Sequence, residues 1–186
     1  MKKVIIVFAM LTCSLTNAQE KFEVKINPLG VIFGSPEVAG EYFFTDHLSA
    51  EIAFSAEMGK YGAISTNDYN PVKSGFGTML TGRYYFAPEE GNDRWFLGLY
   101  MRNKSFNVKD ESNNQYGEFK RNLTAAGLIV GKKWVTANNI TIEAGFGLGR
   151  TLSESNEWVD ENDNTDFNNF EFGIDAIGRL SVGYRF

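Results

Sequence analysis

The chain ends in Ala176-Ile177-Gly178-Arg179-Leu180-Ser181-Val182-Gly183-Tyr184-Arg185-Phe186, a stretch in which apolar residues alternate with polar or small ones. Apolar side chains take every even position from Phe170 to Phe186 except Gly178. Because successive side chains of a strand point to opposite faces, such a strand would turn one face to lipid and the other to a polar lumen. This pattern predicts a strand of a transmembrane β-barrel.

The same alternation predicts seven more strands upstream. It is clearest from Leu48 to Met58 and weakest in the sixth strand, about Phe119 to Trp134, where the run Leu128-Ile129-Val130 interrupts it. The first strand is predicted from about Phe22 to Phe33. Its apolar positions change parity at Pro28, which predicts a bulge because proline cannot donate to a strand ladder.

The predicted connections are unequal in length. Short turns follow the second, fourth and sixth strands, whereas long polar loops follow the third, fifth and seventh, at residues 60–72, 108–117 and 153–168. Outer-membrane barrels show this asymmetry, with short periplasmic turns and longer outer loops. We therefore predict an all-β fold over residues 19–186, an eight-stranded antiparallel transmembrane β-barrel in up-and-down meander order with both termini in the periplasm.

Residues 1–18 have the pattern of a cleaved signal peptide. Two lysines precede a short apolar run, Val4 to Leu11, and Thr16-Asn17-Ala18 places small residues before the predicted cleavage site. The apolar run is too short to span a membrane as a helix. The only cysteine, Cys13, would leave with this segment, so we expect no disulfide and no thiol chemistry in the mature chain.

The composition excludes several classes of protein. The chain carries 18 basic and 23 acidic side chains, and loss of the predicted signal peptide removes two lysines, which leaves 16 against 23, or a net charge of −7. An acidic chain does not fit nucleic-acid binding. The predicted mature chain has no long apolar run, so helical membrane spans are also excluded.

Aromatic residues are sorted to the predicted strand ends. Rings with a polar edge settle at the two membrane interfaces, which predicts two separate belts. The belt at the periplasmic ends comprises Tyr42, Phe44, Tyr84, Phe86, Trp95, Trp134, Tyr184 and Phe186. A second set near the opposite ends comprises Phe33, Phe76, Phe106, Phe119 and Phe170.

The chain resembles the small eight-stranded outer-membrane β-barrel proteins of Gram-negative bacteria. The resemblance rests on the strand end Arg83-Tyr84-Tyr85-Phe86, the glycine-rich strand Glu143-Ala144-Gly145-Phe146-Gly147-Leu148-Gly149 and the terminal aromatic Phe186. It implies a place in the cell outer membrane as a monomer, contact with outer-membrane lipid and lipopolysaccharide, and folding by the barrel-assembly machinery. It brings no catalytic residue and no cofactor to this chain.

Charged residues with inward parity form the first candidate site. An eight-stranded barrel is only wide enough for its side chains to fill, and buried charges of both signs must pair. We therefore predict a structural network of paired charges in the lumen, with an ion pathway as the alternative. Its members are Glu41, Glu51, Glu57, Arg83, Arg102, Lys104, Glu143, Glu171, Asp175, Arg179 and Arg185.

The last polar loop holds a weaker candidate for a calcium site. Alternating oxygen ligands resemble a calcium loop at Asp160, Asn162, Asn164 and Asp166. Thr165 stands where the sharp turn of such a loop needs glycine, which favours a solvated outer loop without an ion.

Histidine-dependent catalysis lacks a suitable pair of residues in this sequence. Barrel enzymes that deacylate outer-membrane lipid use a His-Ser pair at the outer face, whereas the only histidine, His47, falls in a predicted periplasmic turn. We therefore expect a non-enzymatic protein with a structural or surface-interaction role. Three alternatives stay open: a small gated pore, a lipid-modifying outer-membrane enzyme, and a soluble lipocalin-like barrel that binds a ligand.

Overall fold

A computed structural model describes residues 21–32, 34–58, 72–110, 117–158 and 173–186. Eight strands and one short helix, α1, form the described chain. The strands are β1 (Phe22–Asn27), β2 (Glu37–Phe43), β3 (Leu48–Met58), β4 (Val72–Phe86), β5 (Arg94–Asp110), β6 (Gly117–Val135), β7 (Ile140–Trp158) and β8 (Ile174–Arg185). Helix α1 spans Pro28–Ile32. No helix in the described ranges is long and apolar enough to cross a membrane.

The strands close into a barrel in which each strand pairs with the next in the chain. All pairings are antiparallel, and β1 pairs with β8, with Glu23 opposite Arg185 and Ile26 opposite Val182. This confirms the predicted eight-stranded antiparallel meander. Closure leaves no open sheet edge along the common length of the strands.

The two ends of the barrel differ. At the turn end, residues 44–47, 87–93 and 136–139 join the strands, and the Phe186 N–H bonds the Phe22 carbonyl at 2.8 Å. At the loop end, β3, β5 and β7 stop before residues 59–71, 111–116 and 159–172, which lie outside the described ranges.

The first strand was predicted too long. β1 stops at Asn27, and α1 follows instead of a bulged strand to Phe33. Pro28 takes the first helical position, where its fixed φ suits a helix and its missing N–H costs nothing. Asn27 caps the helix, because its Oδ1 accepts the Gly30 N–H at 3.3 Å.

The end of α1 explains how the chain returns to the sheet. Gly34 adopts a φ of 73°, and its N–H bonds the Val31 carbonyl at 3.2 Å. The Ser35 N–H bonds the Gly30 carbonyl at 2.6 Å. These paired bonds form a Schellman motif, which ends a helix and favours glycine at its left-handed position.

Strands β5 to β7 are longer than the sequence pattern indicated. Residues 108–110 and 153–158 belong to strands, although we predicted them as loop. Their sequence does not alternate between apolar and polar residues, but the ladder continues, as in the pairing of Lys109 with Glu118 and of Lys120 with Glu157. Backbone pairing does not depend on an apolar face, so a strand can continue past the end of its apolar–polar alternation.

The outer face of the barrel carries its large apolar side chains. Leu99 is 70% exposed, Phe76 61% and Leu80 58%, and more than twenty others are also exposed. The inner face instead holds most of the buried charged residues. This distribution is the reverse of a water-soluble barrel, which buries its apolar face.

A small apolar cluster shares the interior with those charges. It comprises Ala39, Ala53, Met79, Tyr85, Phe96, Tyr100 and Ile129. Ile129 is 1% exposed, which explains the weak alternation of β6: the middle residue of its apolar run points inward. The rings of Tyr85 and Phe96 lie 5.5 Å apart beside the charged groups.

Candidate functional site

Register places glutamates in one row across the inner wall of the barrel. Glu23 of β1 lies opposite Glu41 of β2, and Glu41 lies opposite Glu51 of β3. Like charges that face each other across strands are destabilising. The row therefore requires cations from elsewhere in the lumen.

Lys25 and Lys133 supply two of those cations. The Nζ of Lys25 donates to Glu41 at 2.6 Å and to Glu143 at 3.0 Å, and it also pairs with Glu51. The Nζ of Lys133 donates to Glu41 at 2.6 Å and to Glu23 at 3.2 Å. The same oxygen of Glu41 thus receives both ammonium groups.

Arg83 and Arg179 complete the network. Arg83 reaches Glu143 at 2.7 Å, Glu51 at 2.8 Å and Glu41 at 3.4 Å. Arg179 pairs with Glu51, and its Nη2 lies 2.9 Å from Glu37. The buried ion network is hereafter the set Glu23, Lys25, Glu41, Glu51, Arg83, Lys133, Glu143 and Arg179.

Burial and charge balance define what this network can do. Its four acids and four bases have side chains no more than 1% exposed. Buried charges destabilise a fold unless they are paired and hydrogen-bonded. Hydroxyl groups add bonds: Glu41 accepts from Ser49 at 2.5 Å and from Tyr85 at 2.7 Å. The arrangement can therefore fill and rigidify the lumen.

The turn end of the lumen is covered by the chain itself. The Arg185 guanidinium donates to the carbonyl oxygens of Glu90 at 3.0 Å, Gly91 at 2.5 Å and Asn92 at 3.2 Å. Arg185 also lies 3.7 Å from Glu23. The penultimate residue thus ties the 87–93 turn to the buried ion network.

The loop end of the lumen is more open. A cavity of about 190 Å³ lies there, bordered by α1, Arg102, Lys104 and Arg179. Lys104 pairs with Glu57 at 2.6 Å, and Arg102 pairs with Asp175. These side chains remain partly exposed, at 22% for Lys104 and 16% for Arg102.

The predicted lumen charges fall into three groups in the structure. Glu41, Glu51, Arg83, Glu143 and Arg179 meet in the buried ion network. The turn end holds Arg185, and the loop end holds Glu57, Arg102, Lys104 and Asp175. Glu171 lies outside the described residues.

Sequence reasoning missed Glu23, Lys25 and Lys133. Glu23 and Lys25 lie in a strand whose alternation lasts only six residues. This is too short to show which face of the sheet their side chains occupy. Lys133 follows Lys132, and adjacent lysines in a strand with weak alternation do not show which one points inward. The sequence did hold one indication of these cations. Glutamates predicted to point inward on neighbouring strands require positively charged side chains close by.

The network also contains the only group of carboxylates dense enough to hold a metal among the described residues. One oxygen each from Glu41, Glu51 and Glu143 lies within 4.8 Å of the others. Lys25 contacts all three residues, so an ammonium already occupies their centre. The predicted calcium ligands, Asp160, Asn162, Asn164 and Asp166, lie outside the described residues.

The predicted aromatic belt lies on the outer face at the turn end. Its eight members are between 39% and 61% exposed. Three aromatic-x-aromatic pairs adopt one edge-to-face arrangement, with ring centroids 5.0 to 5.2 Å apart: Tyr42 with Phe44, Tyr84 with Phe86, and Tyr184 with Phe186. From the second predicted set, the described side chains are those of Phe76 and Phe106.

His47 has a structural environment in the 44–47 turn. Its Nδ1 lies 2.9 Å from the Tyr85 carbonyl oxygen, and its ring stacks on Tyr84 at 5.7 Å. These contacts hold the imidazole against the aromatic belt.

The chain belongs to a family described as a protein of unknown function, DUF3575, whose model matches residues 4–171. Comparison with the curated proteins and comparison with the solved structures both found no match. The family model spans most of the chain, and its description assigns no function.

Proposed function

We propose that this member of the DUF3575 family is a non-enzymatic outer-membrane β-barrel with a closed lumen. In this proposal residues 1–18 are a cleaved signal peptide, and both termini lie in the periplasm at the turn end. The observation that carries the proposal is the continuous apolar outer face, bordered at one end by exposed aromatic rings.

The outer face supports a membrane location on physical grounds. Water-exposed surfaces seldom carry apolar patches beyond a few hundred Å², because exposed apolar area is unfavourable. Here exposed large apolar residues occur on every strand from β1 to β8. Lipid would cover this surface, and the aromatic belt would lie at the level of the headgroups.

The interior supports a closed barrel rather than a pore. A conducting lumen needs a water-filled path, whereas the buried ion network and the apolar cluster fill the section between the turn end and the cavity. A soluble ligand-binding barrel would need an apolar interior, and this interior is mostly charged. We therefore favour neither the pore nor the lipocalin-like alternative.

The proposed role is structural support of the membrane or contact with surface partners. Strands β5, β6 and β7 extend beyond β1 and β2 at the loop end, so their hairpins would project from the outer leaflet. Projecting hairpins and polar loops are suited to contact with lipopolysaccharide or with another surface molecule. Folding would depend on the barrel-assembly machinery, and we expect a monomer.

Membrane fractionation combined with heat modifiability tests the location. We expect the chain in the outer-membrane fraction, with different gel mobility before and after boiling because a closed barrel resists detergent at room temperature. A soluble periplasmic marker and an outer-membrane marker serve as controls. Recovery with the soluble marker, with no mobility shift, would overturn the proposal.

Planar-bilayer recording tests the closed lumen. We expect no steady current from the purified barrel, because charged side chains block the section at the buried ion network. Discrete current steps that fall when Arg83 or Arg102 is neutralised would instead support the gated pore.

A further inference from the structure

A second charged cavity lies at the turn end of the barrel, where the outward-facing side chains of Trp95, Lys132 and Trp134 border it. Its volume is about 410 Å³, and it is bordered by residues of the 87–93 turn and by Arg94, Trp95 and residues 132–135, among them Lys133 of the buried ion network. It lies beside the aromatic belt and just beyond the apolar face. None of the contacts that form the buried ion network uses Lys132.

Lys132 is held between two indole rings. It lies opposite Trp95 across the β5–β6 ladder, and Trp134 follows on the same face of β6. The Nζ of Lys132 is 5.8 Å from the Trp95 ring centre and 5.2 Å from that of Trp134. Within the described ranges no carboxylate is in ion-pair distance of this ammonium, so its charge is available to an anion.

Acidic residues of the 87–93 turn also border the cavity. Asp93 uses Oδ1 to accept the backbone N–H groups of Glu89 at 2.7 Å and Glu90 at 3.2 Å, which fixes the turn. Glu89 also pairs with Arg94. Glu90 is left as an exposed carboxylate, with no ion-pair partner among the described residues.

Placed together, these charges suit a ligand that carries both signs. A phosphate would lie at Lys132, where the indole rings exclude part of the water, and an ammonium would lie at Glu90. Beyond the site, Leu97 and Val130 face each other on the outer surface and are 43% and 47% exposed. A ligand with apolar chains could therefore extend along the barrel from its headgroup.

We propose that this cavity binds the headgroup of a phospholipid bearing a phosphate and a primary ammonium, that is, phosphatidylethanolamine in the periplasmic leaflet. The inference rests on the proposed membrane location. It goes further in assigning a headgroup preference to Lys132 and Glu90. The quaternary ammonium of choline cannot donate hydrogen bonds to Glu90, and a headgroup with no amine cannot form an ion pair with Glu90.

Quenching of tryptophan fluorescence by brominated lipids tests this site. Because the chain has three tryptophans, a Trp158→Phe background leaves Trp95 and Trp134 as reporters. The refolded full chain is placed in phosphatidylcholine vesicles containing a minority of brominated phosphatidylethanolamine, phosphatidylcholine or phosphatidylglycerol. We expect brominated phosphatidylethanolamine to compete about 1.5- to 5-fold better than either other lipid, the range supplied by one exposed ion pair.

Three variants assign the preference to its residues. Glu90→Gln should bring the ethanolamine-to-choline ratio near one and raise the competition by phosphatidylglycerol. Lys132→Gln removes a phosphate contact common to all three lipids and should lower the competition by phosphatidylglycerol, the lipid that has no ammonium to pair with Glu90. Lys120→Gln is the matched control, an exposed lysine at the loop end of the same strand, and should leave the ratio unchanged. Equal quenching by all three lipids, or a preference for phosphatidylglycerol in the parent, would overturn the inference.

Heat modifiability in the same vesicles separates this inference from the membrane proposal. A chain that inserts but shows no headgroup preference removes the lipid site and leaves the membrane proposal standing. A chain that fails to insert, in parent and variants alike, contradicts both.

Discussion

The two ends of the lumen pair their charges in different ways. Toward the turn end, each glutamate of the buried ion network meets several cations, and the side chains are no more than 1% exposed. At the loop end, Lys104 and Arg102 pair mainly with one carboxylate each and stay partly exposed. The contrast shows that ion pairs of the same residue types contribute differently to stability at different depths in the lumen. Water screens the partly exposed pairs at the loop end and does not screen the buried pairs.

Removing one acid from the buried network should have the largest effect. Glu41→Gln would leave Lys25 and Lys133 without the carboxylate charge that both contact, deep in the lumen. Breaking a buried ion pair typically costs about 3–5 kcal/mol. We expect a loss of that size in the free energy of unfolding, measured by urea titration of the refolded barrel in vesicles. A loss below about 1 kcal/mol would show that water reaches Glu41.

Packing around the network should be the next most sensitive feature. In Gly131→Ala the new Cβ would lie 2.5 Å from the Phe96 ring and 2.7 Å from the Ala144 carbonyl oxygen. Overpacking of this kind costs about 1–3 kcal/mol. Gly82→Ala is the matched control, because its Cβ would meet nothing within 4 Å. Equal urea midpoints for the two variants would contradict the tight interior.

The loop end should respond least. Lys104→Gln removes a partner of Glu57 where both side chains keep some exposure to water. Partly exposed pairs contribute about 0–1 kcal/mol, and salt weakens them further. We expect a small change in the same urea titration, which shrinks as salt is added. A loss as large as that of Glu41→Gln would remove the difference between the two ends.

The sequence predicted the strand order better than it predicted the interior. The period-two alternation of β3, β7 and β8 was strong because one face of each strand is apolar along most of its length. The meander order follows because antiparallel strands joined by short connections pair with their neighbours in the chain. The helix α1 was missed because parity alone cannot distinguish a bulge at Pro28 from a capped helical turn. That distinction depends on Asn27 and on the left-handed Gly34.

The partners within the network could not be read from the sequence. Parity assigns a side chain to the inner face, but which cation meets which carboxylate depends on the register between strands and on side chains from opposite walls. Lys25 and Glu143, 118 positions apart, come within 3.0 Å only because the barrel closes. The extensions of β5 and β7 were not predicted for a related reason. A strand segment made of polar residues shows no apolar–polar alternation in the sequence.

Substitution on the outer face is the most direct test of the central proposal, that lipid surrounds this barrel. Leu99 is 70% exposed and lies between the aromatic belt and the loop end. In Leu99→Arg we expect a loss of about 2–4 kcal/mol in the free energy of unfolding from vesicles, with about 0–1 kcal/mol for Ile174→Arg near the loop end. If Leu99→Arg leaves the barrel equally stable, or makes it more stable and soluble without lipid, the outer face meets water and the membrane proposal is wrong.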